Sequence, residues 1–430
     1  MDITGWSDAS RFPRASFVDD EVFAAEQEHL FPRSWQMVAH ESELEAPGDF
    51  VRRKLFTDDV IVTRARDGEL HVLLNSCTHR GTQLCKVTNG TATSFKCGYH
   101  GWTFDGSGRL IGVPGLKTSY SQDFDKAEHA LREARVEVLH GLVFANWDPE
   151  APPLTECLGE FAWYLDALLS ISDGGWEAYG PPVHYLRQGN WKLEAENFVG
   201  DGYHLPNAHR SMYDLGVMGR DAESERAVAG HCVSTPEGNG LRTVHLDVEV
   251  DGRKPFLGFP PDRHDEIEAN LGERTSLLAG NTVIHGTVFP NTSFIKVSLH
   301  SVGDEGDDWT AYVMFRVPVP VSAHTTHLYQ WVLVPRDYPE EWRDRSYTYA
   351  MRSHGPAQVF EVDDIENMSR IDVALSGALG GIGELDYSLG KDIDAEEPGW
   401  TGPGDVDPQN ASEHNQRAYY RRWLDVVGGN

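Results

Sequence analysis

Two sets of residues in this chain have the side chains and the spacing to hold metal. The first is Cys77 and His79 in "CTHRG" with Cys97 and His100 in "CGYHGWTF". The pattern is C-x-H, seventeen residues, then C-x2-H. Two thiolates and two imidazoles on paired loops make a four-ligand set. Such a set suits zinc in a closed tetrahedral site, or a [2Fe–2S] cluster in which histidines hold one of the irons. Zinc fingers usually pair Cys with Cys and His with His. Here each loop supplies one of each, and that mixing suits the two-iron cluster, with both loops reaching both irons. Cys85, Cys157 and Cys232 have no partner at ligand spacing and read as buried fillers.

The second set lies in "ENFVGDGYHLPNAHR", residues 196–210. His204 and His209 are five apart, about 140° around an ideal helix, so a regular helix would splay them. Pro206 lacks an N–H and clashes with the preceding turn, so the helix should kink or break there and swing the imidazoles together. Asp201 stands where it can take the second ring proton of His204 and fix its tautomer. Two histidines and one carboxylate form the facial triad of non-haem Fe(II) sites, which leaves positions open for O2. The carboxylate must come from elsewhere. "VFEVDDIENM" (359–368) is the best source, with Asp364 as the choice and Asp363 as the alternative. Taken alone, the two histidines also read as satisfied surface residues. A zinc hydrolase would show HExxH, and the chain has none. A cluster that moves single electrons does no chemistry on a substrate, and a second iron would use what it delivers.

These sites need elements to position them. Residues 17–31 have apolar positions at helical spacing and acids in the first turn, so they predict a helix. From about Gln36 the texture turns to short β runs punctuated by glycine: "VIVTRARDGELHVLLN", "GWTFDGSGRLIGVP" and "VEVLHGLVFANW". A proline-rich stretch at 148–156 reads as a linker. Beyond it, "NTVIHGTVFPNTSFIKVSLHSV", "TAYVMFRVPV" and "HLYQWVLVP" read as three strand runs of an antiparallel sheet. "EEWRDRSYTYAMRSH" and "FEVDDIENMSRIDVAL" read as helices. Runs of strands followed by runs of helices give an α+β class. The expected division is an N-terminal helical segment over 1–35 packing on the catalytic domain, a small all-β domain over 36–150 and a larger domain over 151–430.

Length and charge limit the rest. At 430 residues the chain is too long for one ordinary core. A formal charge of −30 opposes nucleic acid and anionic membranes as partners. No apolar run approaches the ~20 residues that span a bilayer. The start has no apolar signal region, so a cytoplasmic location is expected. Five cysteines, an odd and sparse number, argue against a disulfide framework. Residues 51–117 carry ten basic against five acidic side chains, a locally positive stretch that could dock an acidic partner. No G-x-G-x-x-G fingerprint follows a strand, so NAD-derived electrons would arrive through separate proteins.

The pair "CTHRG…CGYHGWTF" resembles the Rieske motif. The whole chain resembles the large (α) subunit of Rieske non-haem iron aromatic ring-hydroxylating dioxygenases, the naphthalene and biphenyl dioxygenase family. The matching stretches continue through "ENFVGDGYHLPNAH" to "GPAQVFEVDD". The resemblance implies a Rieske [2Fe–2S] domain and a catalytic domain whose antiparallel sheet is flanked by helices. It implies Cys77, His79, Cys97 and His100 as cluster ligands, with Arg80 and Trp102 beside them. It implies His204, His209 and Asp364 as ligands of a mononuclear Fe(II). Asp201 matches the aspartate that bridges a cluster ligand and an iron ligand of neighbouring subunits. Asn197 and Phe198 match residues facing the iron, and Phe360 an aromatic pocket position. His354 falls where the family commonly has a large apolar residue, which suggests a polar or anionic substituent on the substrate. The implied activity is cis-dihydroxylation of an aromatic hydrocarbon or aromatic acid with O2 and NADH-derived electrons. The implied partners are a ferredoxin and an NADH-dependent reductase, with a small β subunit in an α3β3 hetero-hexamer or a homotrimer. A Rieske monooxygenase or O-demethylase would use the same site. An electron-transfer Rieske protein would lack the mononuclear iron.

Overall fold

The computed structural model of the chain describes residues 9–216, 229–250, 252–300, 309–393 and 400–428. Its contacts divide it into two compact units: Phe31–Leu154, and the residues before Phe31 together with those from Thr155 onward.

In the smaller unit the glycine-punctuated runs become short antiparallel strands. Seven form one sheet in the order Gln36–His40, Leu142–Asn146, Glu133–Leu139, Leu70–Leu74, Asp58–Arg64, Asp49–Leu55, Asn89–Thr91. Ser94–Lys96, Thr103–Asp105 and Leu110–Gly112 form a second sheet of three. Gly68 closes the "RDGE" turn at a φ of 91°, its N–H donating to the Ala65 carbonyl; only glycine takes that conformation at little cost. Single helical turns at Leu116–Ser119 and Lys126–His129 interrupt the β pattern. The positive stretch is partly neutralised. Arg52 faces Asp59, Arg53 faces Glu43, Arg64 faces Glu41 and Arg109 faces Asp105. Lys86 and Lys96 remain exposed.

Among the described residues, the larger unit is built on a nine-stranded antiparallel sheet. Its long central strands are Gly240–His245, Asn281–Val288, Thr292–His300, Trp309–Ser322 and Thr325–Pro335. "NTVIHGTVFPNTSFIKVSLHSV", expected as one strand run, is two of these, paired from Val283↔Val297 to Val288↔Thr292. The chain turns at "FPN", where Pro290 has no N–H to give a ladder. The last two residues of that run, Ser301 and Val302, lie outside the described residues. Six helices matter here: α1 (Trp191–Gly200), α2 (Leu205–Ala208), α3 (Arg210–Asp214), α4 (Glu340–His354), α5 (Val359–Leu375) and α6 (His414–Val427). Helix α1 packs on the four strands from Gly240 to Ser322, and α4 packs on the last two of the long strands and on α5. Between them lies an apolar core that includes Phe198, Met212, Val244, Tyr312, Met314, Val332 and Phe360.

The N-terminal run is not the single helix expected over 17–31. A 3-10 turn at Arg14–Phe17 is followed by an α-helix at Asp20–Ala25, which the Asp19 side chain caps, and a π turn at Glu26–Leu30. The widened turn starts at Glu26, whose buried carboxylate is held by Lys192, Trp191 and Trp423. Tertiary donors override the local helical period there. The linker stretch is partly helical as well, since Leu154–Leu158 forms a turn of α-helix. Cys85 and Cys232 are buried, but Cys157 is only half-buried. No described helix is long and apolar enough to cross a membrane.

Candidate metal centres

The two loops of the smaller unit share one backbone construction. Cys77 N–H donates to Thr82 O, and Gly81 N–H returns to Cys77 O. Cys97 N–H donates to Trp102 O, and Gly101 N–H returns to Cys97 O. Gly81 and Gly101 take φ values of 75° and 76°, so each loop reverses on a left-handed glycine four residues after its cysteine. Both thiols are buried in a core cluster with Leu73, Trp102, Phe104 and Leu110. The imidazoles of His79 and His100 meet edge to face at 4.6 Å. Trp102 stacks on His79 at 4.8 Å and 12°, whereas Arg80 is exposed. His100 Nδ1 is buried without a hydrogen-bond partner. An orphaned imidazole nitrogen beside two buried thiols fits a metal cluster better than it fits packing.

In the larger unit, α1 ends at Gly200 and the chain turns through Asp201–Tyr203 before α2 begins. The break comes before Pro206, not at it. Pro206 occupies the first turn of α2, where no intrahelical N–H is needed. Close approach sets the break instead. A Cβ on Gly202 would collide with Arg242 Nε, and one on Gly200 would lie 2.5 Å from Asn415 Nδ2. The Asp201 carboxylate accepts from the N–H groups of Tyr203 and His204 and so shapes the turn.

That turn brings His204 Nε2 to 3.2 Å from His209 Nε2. Asp364 Oδ1, from α5, stands 3.6 Å from the first and 3.4 Å from the second. Metal bonds to imidazole and carboxylate run about 2.0–2.2 Å, and ligands of one ion then stand about this far apart. The three side chains form the one group among the described residues whose donor atoms converge in this way. The other nitrogens face two further aspartates. His204 Nδ1 is 3.1 Å from Asp201 Oδ2, and His209 Nδ1 is 3.3 Å from Asp363 Oδ2. Asp363, the alternative third ligand, therefore backs a histidine while Asp364 joins the triangle. Such partners fix tautomer and ring orientation. Burial would raise Asp201, but the charge and hydrogen bonds of His204 outweigh it and hold the carboxyl down to about 2. Burial likewise opposes Asp364, whose histidine partners keep it below the usual carboxylate range.

A cavity opens on the triangle. Asn197, Phe198, Phe360 and His354 line it together with His204, His209 and Asp364. The far wall is the sheet: Val283 and His285 from one strand, Ile295, Val297 and Leu299 from the next. Sequence reasoning did not single out these five, although their period-two spacing marks one sheet face. It also missed Arg242, a polar wall residue. Arg242 is buried and donates to the backbone and side-chain oxygens of Asn410. Burial, aided by Arg242, holds His285 down to about 3, and its Nδ1 lies 3.2 Å from Phe198 O. Arg210 does not reach the cavity; it pairs with Asp214 on the surface. On the other side of the triangle an open cleft runs past Asp201, His204, Asp364 and Glu196. Burial pushes Glu196 up to about 8, against hydrogen bonds from Tyr420 and Tyr387.

Comparison with known proteins gives this pair of centres its context. The Rieske [2Fe-2S] domain matches residues 34–129, and the ring hydroxylating alpha subunit (catalytic domain) matches residues 172–429. The chain belongs to the ring-hydroxylating α-subunit family. The large oxygenase component of the 2,4-dinitrotoluene dioxygenase system from Burkholderia sp. (strain RASC) is 34% identical, over 94% of this chain and 88% of that one. The α subunit of the N,N-dimethyl phenylurea N-demethylase from Sphingobium sp. (strain YBL2) is 30% identical, over 97% and 91%. Among solved structures, naphthalene 1,2-dioxygenase from Rhodococcus sp., bound to indole, aligns with a TM-score of 0.91 at 35% identity, covering 98% of this chain and 95% of that one. As a ring-hydroxylating α subunit, the chain is a Rieske oxygenase that uses a [2Fe–2S] cluster and a mononuclear iron.

Proposed function

We propose that the chain is the terminal component of an aromatic dioxygenase, in which His204, His209 and Asp364 hold the iron and Cys77, His79, Cys97 and His100 hold the cluster. The reaction adds both atoms of O2 to neighbouring ring carbons, consuming two electrons and two protons and giving a cis-dihydrodiol. The observation that carries this reading is the triangle of Nε2, Nε2 and Oδ1 atoms at 3.2–3.6 Å opening on a largely apolar cavity. The iron, when bound, supplies a reducing centre with positions open to O2.

The protein's own residues do the rest. Asp363 and Asp201 hold the imidazole rings so that both Nε2 atoms point inward. Phe198, Phe360 and the valine and leucine side chains of the sheet wall hold a flat apolar ring and exclude water. Asn197 lines both the cavity and the cleft. Asp201 lies at the same junction, which is where the loop of a second copy would meet His204 if clusters feed the iron of a neighbouring chain. The relatives named as large components of dioxygenase systems support electron delivery by separate components, which this reading takes to be a ferredoxin and an NADH-dependent reductase. A trimer, with or without a small β subunit, is the assembly this reading entails.

Replacing Asp364 by alanine tests the assignment. The iron content should fall by the mononuclear ion alone, with the visible spectrum of the cluster intact and turnover lost. Retained iron, or loss of the cluster spectrum, would make the ligand set wrong. A second reading, oxidative N-demethylation of an aromatic amide, is favoured by the phenylurea demethylase relative. The same triangle would serve it. Products formed from 18O2 separate the two, with two labelled hydroxyls for the diol and one oxygen lost as formaldehyde for demethylation.

A further inference from the structure

His354 is a polar side chain of the cavity whose chemistry the apolar reading does not use. It ends α4, its ring lies flat on Phe360 at 5.1 Å and 17°, and Phe360 in turn meets His209 edge to face at 5.0 Å. One aromatic ring thus separates it from an iron ligand. Its Nδ1 is 2.6 Å from the hydroxyl of Tyr312, a fully buried phenol on the central sheet. A buried phenol proton must find an acceptor; the Ser353 hydroxyl also meets the phenol, but Nδ1 at 2.6 Å is the acceptor in hydrogen-bond geometry. That bond leaves the ring hydrogen on Nε2. Among the described residues Nε2 has no hydrogen-bond partner. Since the residue lines the cavity and is otherwise buried, the cavity is where an N–H on Nε2 can find an acceptor.

We infer that Tyr312 orients His354 so that Nε2–H donates to the substrate, which is a neutral aromatic molecule bearing a hydrogen-bond acceptor: a nitro group, a carbonyl or a pyridine-type nitrogen. This rests on the oxygenase reading and names its substrate class. An aromatic carboxylate fits poorly. The donors that face it, His354 and Asn197, are neutral, and the carboxylates of Asp201 and Asp364 offset the charge of a bound ferrous ion, so little net compensation repays the desolvation of an anion. The cation in the wall, Arg242, already spends donors on Asn410. Burial also holds His354 well below the usual imidazole range, so the ring meets the substrate uncharged. A plain hydrocarbon would leave a desolvated N–H unpaired.

The test is calorimetric binding to the anaerobic holoenzyme with three probes built on one fused bicyclic frame: naphthalene, quinoline and 2-naphthoate. Quinoline should bind about tenfold more tightly than naphthalene, the worth of one hydrogen bond, and 2-naphthoate the most weakly. His354→Phe, which keeps the stack on Phe360, should abolish the quinoline preference and leave naphthalene within about twofold. Tyr312→Phe, which only frees the imidazole to turn, should reduce the preference without removing it. Iron content and cluster spectrum establish that each variant is assembled. A quinoline preference unchanged in His354→Phe, or 2-naphthoate as the tightest ligand, would overturn the inference while leaving the oxygenase reading standing. Failure of all three probes to bind the wild type would overturn both the inference and the aromatic substrate that the proposed function assigns.

Discussion

Neighbouring residues of one helix take different parts at the metal centre. Asp363 and Asp364 are adjacent, so they point about 100° apart; one backs His209 and the other completes the triangle. The composition of "VDDI" offers both, and only the rotation of α5 about its axis distinguishes them. The same alternation along a strand separates Ile295 and Val297, which face the cavity, from Lys296 between them. Lys296 Nζ is buried on the opposite face and donates to the backbone and side-chain oxygens of Asn281. Burial alone lowers it to about 7, whereas an unfolded lysine titrates near ~10.4. Between those values the unfolded chain holds a proton that the folded chain does not, so this group adds stability as pH rises through the window. Lys296→Met removes that dependence. The stability of the wild type relative to the variant should therefore increase from about pH 7 to about pH 10, by up to about 4 kcal/mol. Thermal denaturation of both proteins across that range measures it, and a pH-independent difference would exclude the linkage.

At the level of the element, the decisive feature is the interruption between α1 and α2. Two histidines five apart announce that a straight helix will not serve, and the proline beside them is the visible candidate for the break. Proline in a first turn is compatible with helix, however, and the interruption belongs to Gly200 and Gly202. Their role is invisible locally because the atoms that exclude a Cβ, on Asn415 and Arg242, lie far along the chain. Gly202→Ala should displace the buried Arg242 guanidinium and loosen the turn that carries His204. We expect about 1–3 kcal/mol of destabilisation, as for overpacking elsewhere, and partial loss of the mononuclear iron with the cluster spectrum unchanged. Metal analysis together with a melting curve checks both. The Rieske loops behave differently. Each is closed by its own backbone hydrogen bonds over a few residues, and so the spacing of cysteine, histidine and glycine is enough to predict them.

Across the molecule, chain order and spatial order part company. The residues before Phe31 belong with the unit that resumes at Thr155, not with the sequence that directly follows them. Glu26 is the fastening: its carboxylate takes Lys192 Nζ at 2.6 Å, Trp191 Nε1 at 2.9 Å and Trp423 Nε1 at 3.0 Å. Glu26→Ala would leave a buried ammonium and two indole N–H groups without their acceptor. Breaking a buried pair in this way costs about 3–5 kcal/mol. Chemical denaturation of the variant should show a loss of that size, and a change below about 1 kcal/mol would mean that the fastening carries little. The amino-acid order alone carried the local chemistry: the ligand types and their spacing, the glycines that turn the cluster loops, the strand and helix periods, and through them the family. These features are legible because the forces behind them act within a few residues. Folding supplied the rest: which aspartate closes the triangle, which sheet face walls the cavity, where α1 stops, and what His354 can offer a substrate. Each of these depends on atoms that packing brings together from distant parts of the chain, and no local pattern encodes that meeting.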